Sequence, residues 1–200
     1  MSEAAVIAWA VFFVVCVAWR FWYQRRLTSE SGLRALASGR VDSIGWWGGT
    51  AIVVSFSTLF IVPTLETAGL IERTTAPPWQ VGAGVVVMAA GIVVTSAAQV
   101  GMGTSWRVGV RSGERTALIT HGIFGIVRNP IFCGVIASAI GAAVLVPRPA
   151  MFAAVLGAIL GVELQVRLVE EPHLREIHGA DYAEYTARVG RFVPGIGKRT

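Results

Sequence analysis

Five long apolar stretches, separated by short polar segments, dominate the hydrophobic pattern of this chain. They cover residues 4–23, 44–62, 79–99, 131–146 and 150–169. A bilayer core of ~30 Å is crossed by roughly 20 mostly apolar residues in a helix, so each stretch is a candidate membrane span. We therefore predict an all-α, polytopic membrane protein with about five transmembrane helices.

Composition supports the same class of protein. Hydrophobic residues occupy 54% of the 200 positions and charged residues only 14%, which leaves too little polar surface for a soluble domain. The net charge of +5 does not indicate a nucleic acid partner, because the basic residues concentrate in alternate loops. Only Arg73 and Arg148 fall in the other loops. The positive-inside rule then predicts an outer N-terminus and a cytoplasmic C-terminus.

Two further features bear on cellular location. Arginine is far more frequent than lysine, which occurs only at Lys198, and this bias favours a GC-rich genome and hence a bacterium. The N-terminus carries Glu3 in place of a basic segment, so we expect the first apolar stretch to be a retained helix. We predict a multi-pass protein of the plasma membrane with its active site on the cytoplasmic side.

Cysteine and histidine usage gives no indication of a metal site. Cys16 and Cys133 both lie in apolar spans, which favours packing roles over a disulfide or metal ligation. His121, His173 and His178 do not form a compact ligand set, and no cysteine accompanies them. We therefore predict no bound metal.

Residues within the spans lead to finer expectations. Arg20, at the end of the first span, is placed to extend towards lipid headgroups, and Pro63 is expected to end the second span. Gln99 shares a helix face with Thr95, and we favour a hydrogen bond from Gln99 to a neighbouring helix over ligand contact. Small residues in the third and fourth spans predict close helix packing: Gly82, Gly84, Ala89, Ala90, Gly91, Ala97, Ala98, Gly134, Ser138 and Gly141.

The loop between the third and fourth spans has two interpretations. Residues 106–111 alternate between apolar and basic side chains, and Trp106 is the first of them. They form either an interfacial anchor held to anionic lipid or a flap over a cofactor. We favour the anchor, although the sequence leaves both open.

The end of the fifth span carries a polar face. Glu163, Arg167 and Glu170 are spaced i, i+4 and i+7, so an unbroken helix would place all three on one side. A carboxylate in a membrane helix normally faces a partner or a wet cavity. Simple neutralisation of Glu163 by Arg167 and a functional role for this pair remain equal alternatives. Glu170 and Glu171 lie where the helix leaves the bilayer, and nothing adjacent in sequence neutralises both.

Short helices are predicted to follow this acidic pair. Pro172 fits the first turn of a new helix, and Gly179 can end that helix in a left-handed conformation. Tyr182 and Tyr185 lie on one face of the next helix. That face either packs on the ends of the spans or provides a wall and a hydroxyl for a ring-bearing ligand.

Together these residues resemble the isoprenylcysteine carboxyl methyltransferase family of integral-membrane enzymes, which is similar to phospholipid N-methyltransferases. The resemblance covers residues 106–194, and the order of its motifs is more specific than any one of them. Its marks are Thr120, Gly122, Arg128, Asn129, Pro130, Glu170, Glu171, Leu174, Gly179, Tyr182, Tyr185, Val189, Arg191, Phe192 and Pro194.

The resemblance implies a methyltransferase that uses S-adenosylmethionine. It implies a cytoplasmic cofactor pocket, roofed by the loop before the fourth span and by the C-terminal helices, with an opening towards lipid for an apolar substrate. Arg128 and Glu170 are the predicted catalytic residues. The predicted cofactor-binding residues are Thr120, His121, Gly122, Phe124, Val127, Arg128, Asn129, Glu170, Glu171, Tyr182 and Tyr185.

The residue types also suit this cofactor on chemical grounds. Backbone N–H groups near Gly122 and the guanidinium of Arg128 can bind a carboxylate. Glu170 or Glu171 can accept hydrogen bonds from an ammonium or from ribose hydroxyls, and Tyr182 can flank the adenine ring. If the methyl acceptor is a carboxylate, Arg128 is expected to orient either the acceptor or the cofactor.

Three places depart from the family pattern. Asn129 stands where many members have His, Phe132 where many have Tyr, and residues 123–125 where many have Pro-Tyr-Arg. Asparagine donates a hydrogen bond but carries no charge. The predicted acceptor is accordingly stated broadly, as a lipophilic small molecule or a prenylcysteine-like compound.

Two other functions remain open from the sequence. One is a membrane NADPH-dependent sterol or enone reductase, since such proteins have a similar C-terminal arrangement, and the other is a non-catalytic membrane scaffold. Under the favoured methyltransferase hypothesis, residues 1–100 form the scaffold and substrate pocket, and residues 101–200 form the methyltransferase core. The small residues of the spans could serve contacts within or between chains, so the oligomeric state stays open.

Overall fold

A computed structural model describes residues 1–28, 44–106 and 117–199 of the chain. The described residues fold into α-helices joined by short turns, with two isolated β-bridges and no longer strand among them. The helices are α1 (Ser2–Phe12), α2 (Trp19–Thr28), α3 (Ile44–Thr67), α4 (Pro78–Met102), α5 (Pro130–Leu145), α6 (Pro149–Gln165) and α7 (Glu171–Arg188). The predicted all-α fold is confirmed.

The predicted membrane spans are all helical, and one of them is short. In the described part of the chain, four helical segments are long and apolar enough to cross a bilayer: Ser2–Leu27, Gly45–Thr67, Pro78–Ser105 and Pro149–Arg188. By contrast, α5 has 16 residues and is about 24 Å long, less than a bilayer core of ~30 Å. The multi-pass membrane fold is confirmed, whereas the direction in which the chain crosses the membrane remains a prediction.

Pro63 does not end the second span, contrary to expectation. It lies inside α3, which continues to Thr67. Proline removes one backbone N–H, but the rest of the helix stays hydrogen-bonded because exposing more backbone to an apolar environment would be costly. The Thr67 hydroxyl donates to the Pro63 carbonyl at 2.8 Å. The helix therefore extends one turn beyond the proline.

Glycine residues bring two pairs of helices into close contact. In the seam between α4 and α5, a Cβ added to Gly91 would lie 2.5 Å from the carbonyl oxygen of Gly134. Between α3 and α6, a Cβ added to Gly161 would lie 2.8 Å from the carbonyl oxygen of Gly48. Both distances are shorter than van der Waals contact, so glycine is required. The first seam is the close packing that the small residues predicted, and the second was not predicted.

Gln99 bonds a neighbouring helix, in agreement with the favoured interpretation. Its Nε2 donates to the backbone carbonyl of Cys16 at 2.9 Å, while the Thr95 hydroxyl donates within its own helix to Gly91 at 2.8 Å. Cys16 lies in a π-helical turn, Phe13–Ala18, which joins α1 to α2. Such a turn changes the regular hydrogen-bond pattern and makes a carbonyl accessible to a neighbour.

Arg20 does not extend to the headgroups, because its side chain is fully buried. Its Nη2 donates to the Gly103 carbonyl at 2.6 Å, near the end of α4, and its guanidinium lies 4.7 Å from the Trp106 ring centroid. Trp106 is itself buried and contacts Phe21 edge to face. Trp106 is therefore a packing residue rather than an anchor in lipid. Residues 107–111 of the predicted anchor or flap lie outside the described residues.

The final helix is continuous where a break was expected. A π-helical turn at Val166–Glu170 joins α6 directly to α7, and Pro172 lies in the first turn of α7. The extra residue of the π turn shifts the helical register. Glu163 and Glu170 therefore do not share the face of an unbroken α-helix, and Glu171 points inward with 1% exposure. Gly179, with φ of 50°, kinks α7 at the predicted position.

Candidate functional site

The loop before α5 and the segment after α7 are joined by backbone hydrogen bonds. Val127 and Gly190 form a parallel bridge, in which the Arg128 N–H donates to the Gly190 carbonyl at 2.8 Å. The backbone N–H of Asn129 and its Nδ2 both donate to the Arg191 carbonyl, at 3.1 and 3.2 Å. Motifs that flank the last two spans in sequence therefore meet at one end of the helix bundle.

Beside this bridge, Glu171 accepts hydrogen bonds from two arginines. Arg128 donates through Nη2 to Oε1 at 2.9 Å, and Arg191 donates through Nε to Oε1 at 2.6 Å and through Nη2 to Oε2 at 2.9 Å. Arg128 also donates to the backbone carbonyls of Val189 at 2.5 Å and Gly197 at 3.1 Å. The Arg128 and Glu171 side chains are each 2% exposed and that of Arg191 is 7% exposed.

The arginines and the carboxylate of this cluster stabilise one another in their charged forms. Hydrogen bonds to Glu171 raise the pKa of Arg191 above its usual value despite burial, and the charges of Glu171 and Glu163 act in the same direction. Arg199, which is 42% exposed, approaches Glu171 Oε2 at 3.4 Å. Buried charges are tolerated only when they are paired and hydrogen-bonded. The network therefore holds two irregular backbone segments in one arrangement.

Two glycines allow the segment after α7 to turn back on itself. A Cβ added to Gly190 would lie 2.7 Å from the Ile196 carbonyl oxygen, which leaves no room for a side chain. The Arg191 N–H donates to that same carbonyl at 2.8 Å and closes the turn. Gly197 has φ of 79°, a left-handed conformation that glycine adopts without strain, and its carbonyl faces Arg128.

Two tyrosines of α7 support the loop from the other side. The Tyr185 hydroxyl donates to the Phe124 carbonyl at 2.7 Å. Tyr182 is 2% exposed, and its ring centroid lies 6.2 Å from that of Tyr185 in an edge-to-face arrangement. Leu118 and Leu174 pack against the cluster that the two tyrosines form with Val189. The Tyr182 hydroxyl makes no hydrogen bond within residues 1–28, 44–106 and 117–199.

The remaining predicted residues lie around this junction with fewer contacts. Gly122 has φ of 60° and begins a 3₁₀ turn, His121 before it is exposed, and Thr120 is half-buried. Glu170 is half-buried and forms no ion pair with a described residue. The predicted residues that the structure joins in one contact network are Phe124, Val127, Arg128, Asn129, Glu171, Tyr182 and Tyr185.

Arg191 was not predicted as a site residue. It counted among the marks of the family resemblance without an assigned role, yet it donates two hydrogen bonds to Glu171. Two adjacent carboxylates that lacked local basic partners were the available signal, because a buried carboxylate needs cations from elsewhere in the chain. Val189 and Gly190 accept hydrogen bonds through their backbone carbonyls, which every residue has. Their part in the junction could therefore not be predicted from the sequence.

A second polar cluster lies at the opposite end of the helices. Glu66 is fully buried, accepts a hydrogen bond from the Ser2 hydroxyl at 2.5 Å and pairs with Arg148. A cavity of about 310 Å³ nearby is lined by residues 1–3 and 73–76. Because α3 to α6 run between this end and the junction, the cavity is not part of the candidate site.

Comparison with known proteins points to the same region. The profile of the family described as phospholipid methyltransferase matches residues 79–181, just over half of the chain. This chain belongs to the phospholipid methyltransferase family. The matched region contains the loop that carries Arg128 and the acidic pair Glu170 and Glu171, whereas Arg191 lies beyond it.

Two relatives of this phospholipid methyltransferase family member are informative. Protein-S-isoprenylcysteine O-methyltransferase A of Arabidopsis thaliana is 26% identical over 120 residues, which span 59% of this chain and 61% of that protein. A solved structure of the eukaryotic intramembrane Ras methyltransferase ICMT (isoprenylcysteine carboxyl methyltransferase) aligns with a TM-score of 0.62 and 18% identity over 98% of this chain and 70% of that one. The resemblance recognised from the sequence motifs is confirmed, and the structural match shows a shared fold.

In this family member, some polar groups at the junction are not used by the described residues. The Nε of Arg128 is buried and has no acceptor among the described residues, so a donor remains for an anionic group. The Glu170 carboxylate and the Tyr182 hydroxyl are likewise not engaged by the described residues. Together they supply a donor for a carboxylate and an acceptor for an ammonium or ribose hydroxyl.

We expect Tyr185→Phe to destabilise the protein by about 1–3 kcal/mol, because the substitution leaves the buried Phe124 carbonyl without its donor. Tyr182→Phe is the matched control, since the Tyr182 hydroxyl bonds no described residue. Thermal unfolding of the purified variants in one detergent measures both effects. Equal melting temperatures for the two variants would contradict a supporting role for the Tyr185 hydroxyl.

Proposed function

We propose that this chain is an S-adenosylmethionine-dependent membrane methyltransferase, and that its cofactor binds at the junction between residues 118–129 and α7. The observation that best supports this function is the network of Arg128, Glu171 and Arg191. Arg128 and Glu171 lie within the family-matched residues 79–181, and the network fixes two irregular segments next to polar groups that the described residues do not use. Buried ionic groups are costly, so their presence here favours a requirement for fixed geometry.

In this proposal, Arg128 acts mainly as a positioning residue. Its two terminal nitrogens donate to Glu171 and to backbone carbonyls, so only its Nε–H remains for a cofactor carboxylate. Backbone N–H groups near Gly122 provide further donors for that carboxylate. Glu170 accepts hydrogen bonds from the ammonium or the ribose hydroxyls, and Tyr182 flanks the adenine ring.

In this reaction the protein has to orient the cofactor and the acceptor and to exclude water. When bound, S-adenosylmethionine supplies an electrophilic methyl group on a sulfonium. The residues of the junction would orient that methyl group towards the acceptor and keep water from the nucleophile, and both effects favour methyl transfer. No covalent bond to the enzyme is required.

We further propose that the acceptor is a lipophilic or prenylcysteine-like molecule that enters from the bilayer. The plant relative, named as a protein-S-isoprenylcysteine O-methyltransferase, supports this substrate class. The distribution of basic residues supports a junction on the cytoplasmic side of the plasma membrane. Residues 1–100 would then shape the acceptor pocket, and residues 101–200 would form the methyltransferase core.

Ligand binding provides the first test. We expect S-adenosylhomocysteine to raise the melting temperature of the purified protein and NADPH to leave it unchanged. At a ligand concentration about 100 times Kd, a single site stabilises by about 2.7 kcal/mol, which thermal unfolding resolves easily. Stabilisation by NADPH alone would favour a reductase instead. Transfer of radiolabel from methyl-labelled S-adenosylmethionine to a membrane-extracted product would then identify the acceptor.

A further inference from the structure

Arg167 and Glu163 form an exposed ion pair close to the candidate site. Arg167 lies in the π-helical turn Val166–Glu170, and its Nε donates to Glu163 Oε2. The Arg167 side chain is 52% exposed and that of Glu163 is 31% exposed. Within the described residues, no acceptor contacts the two terminal nitrogens of Arg167. Arg167 therefore presents an accessible guanidinium edge three residues before Glu170, in the same π-helical turn.

Arg167 and Arg128 differ in their availability to a ligand. The Arg128 side chain is 2% exposed, and its terminal nitrogens already bind Glu171 and backbone carbonyls. A bulky acceptor cannot reach it without breaking this network. In the part of the chain that the structure describes, Arg167 has one partner, Glu163, and that partner is itself partly exposed. The guanidinium of Arg167 is therefore more accessible to an anionic group than that of Arg128.

An apolar surface leads along α6 to this arginine. Leu160, Leu164 and Leu168 recur every four residues, so they lie on one side of the helix, and they are 55%, 38% and 50% exposed. Arg167 directly precedes the last of them in sequence. A hydrocarbon surface that ends beside a cation is complementary to an amphiphile with an apolar tail and an anionic head.

We propose that Arg167 binds the carboxylate head of an amphiphilic methyl acceptor, whose tail lies along the surface formed by Leu160, Leu164 and Leu168. This inference rests on the proposed function, because it names the substrate class of the same site. Glu163 holds Arg167 in place until the carboxylate of the acceptor replaces it. The planar guanidinium then binds that carboxylate through two parallel hydrogen bonds, a geometry that lysine cannot reproduce.

The test measures binding separately from turnover. Wild type, Arg167→Gln and Glu163→Gln are reconstituted in phosphatidylcholine nanodiscs and titrated with S-farnesyl-N-acetylcysteine and with its uncharged carboxamide. Arg188→Gln is the matched control, because it breaks another exposed pair four residues apart, Arg188–Glu184.

The two partners of the ion pair are expected to give opposite results. Arg167→Gln should raise the Kd of the acid about 10- to 100-fold, since a charge-assisted hydrogen bond is lost, and leave the Kd of the carboxamide unchanged. Glu163→Gln should lower the Kd of the acid several-fold, because a competing carboxylate is removed. Arg188→Gln should match wild type. A pair that only stabilised the helix would give no such opposite shifts.

Two controls separate this inference from its premises. If S-adenosylhomocysteine does not bind wild type, the proposed function itself fails. If it binds but Arg167→Gln leaves the Kd of the acid unchanged, or Glu163→Gln weakens binding of the acid, only the role of Arg167 is overturned. In nanodiscs that contain phosphatidylglycerol, full displacement of the acid from wild type would assign Arg167 to lipid headgroups and would also overturn the inference.

Discussion

Glu171→Gln is expected to destabilise the protein by about 3–5 kcal/mol, because it removes the negative partner of two buried guanidinium groups. The side chains of Arg128 and Arg191 are 2% and 7% exposed, so water cannot replace the lost carboxylate. Glutamine keeps the shape and one acceptor oxygen but carries no charge. For a chain of this size, the loss corresponds to a fall of roughly 6–20 °C in Tm.

Glu170→Gln is the matched control for this substitution. Glu170 is the neighbouring carboxylate, but it is half-buried and forms no ion pair with a described residue. We expect its substitution to change stability by less than about 1 kcal/mol. If Glu170 binds the cofactor, the same substitution should weaken S-adenosylhomocysteine binding about 10-fold or more, since a hydrogen bond to a charged group is lost.

Thermal unfolding and isothermal titration in one detergent measure both effects. Because Glu171 and Arg191 act in one network, adding Arg191→Gln to Glu171→Gln should cost less than the sum of the single effects. An equal fall in Tm for the Glu171 and Glu170 variants would show that the buried network is not what stabilises the junction. Unchanged S-adenosylhomocysteine affinity in the Glu170 variant would remove Glu170 from the cofactor site.

The network also explains how a membrane protein can hold irregular segments together. The loop before α5 and the segment after α7 form no long helix or strand, and hydrogen bonds of Arg128, Asn129 and Arg191 join them. Hydrogen bonds are directional, whereas burial of apolar surface is not. Polar groups next to this junction are therefore held in fixed positions, which a binding site for a small cofactor requires.

Much of the fold could be predicted from the sequence because its physical causes are local. The length of an apolar run determines whether a helix can cross a bilayer, and the five runs are helices. Small residues such as Gly91 and Gly134 permit close approach of helices, and they form the seam between α4 and α5. A span that crosses and returns brings its flanking motifs to one side, which is why the contact between Arg128 and Glu171 could be expected.

The features that were not predicted depend on tertiary packing. Nothing in residues 166–170 indicates a π turn rather than a regular helix, yet this turn determines that Glu171, and not Glu170, faces Arg128. Pro63 resembles a helix end in sequence but lies within α3, because the surrounding helices favour continued hydrogen bonding. The third partner of the network, Arg191, is 20 residues from Glu171, beyond the reach of helical spacing.

Gly91→Ala should destabilise the protein by about 3 kcal/mol, because the added methyl group has no space in the seam between α4 and α5. Its carbon would lie 2.5 Å from the Gly134 carbonyl oxygen and from the Ser138 backbone nitrogen. Backbone atoms cannot turn aside as a flexible side chain can, so the two helices must separate. Since α5 begins directly after Asn129, this displacement should also weaken S-adenosylhomocysteine binding.

Gly82→Ala is the control for this prediction, since it makes the same chemical change in the same helix. A Cβ added to Gly82 would meet nothing within 4 Å apart from its chain neighbours and the nearby backbone of its own helix. Alanine is also the better helix former, so we expect Gly82→Ala to match or slightly exceed wild type in Tm. Thermal unfolding and ligand titration of both variants provide the measurement. If Gly91→Ala retained the Tm and the ligand affinity of Gly82→Ala, the seam would be looser than these distances require, and α5 would not transmit packing changes to the junction.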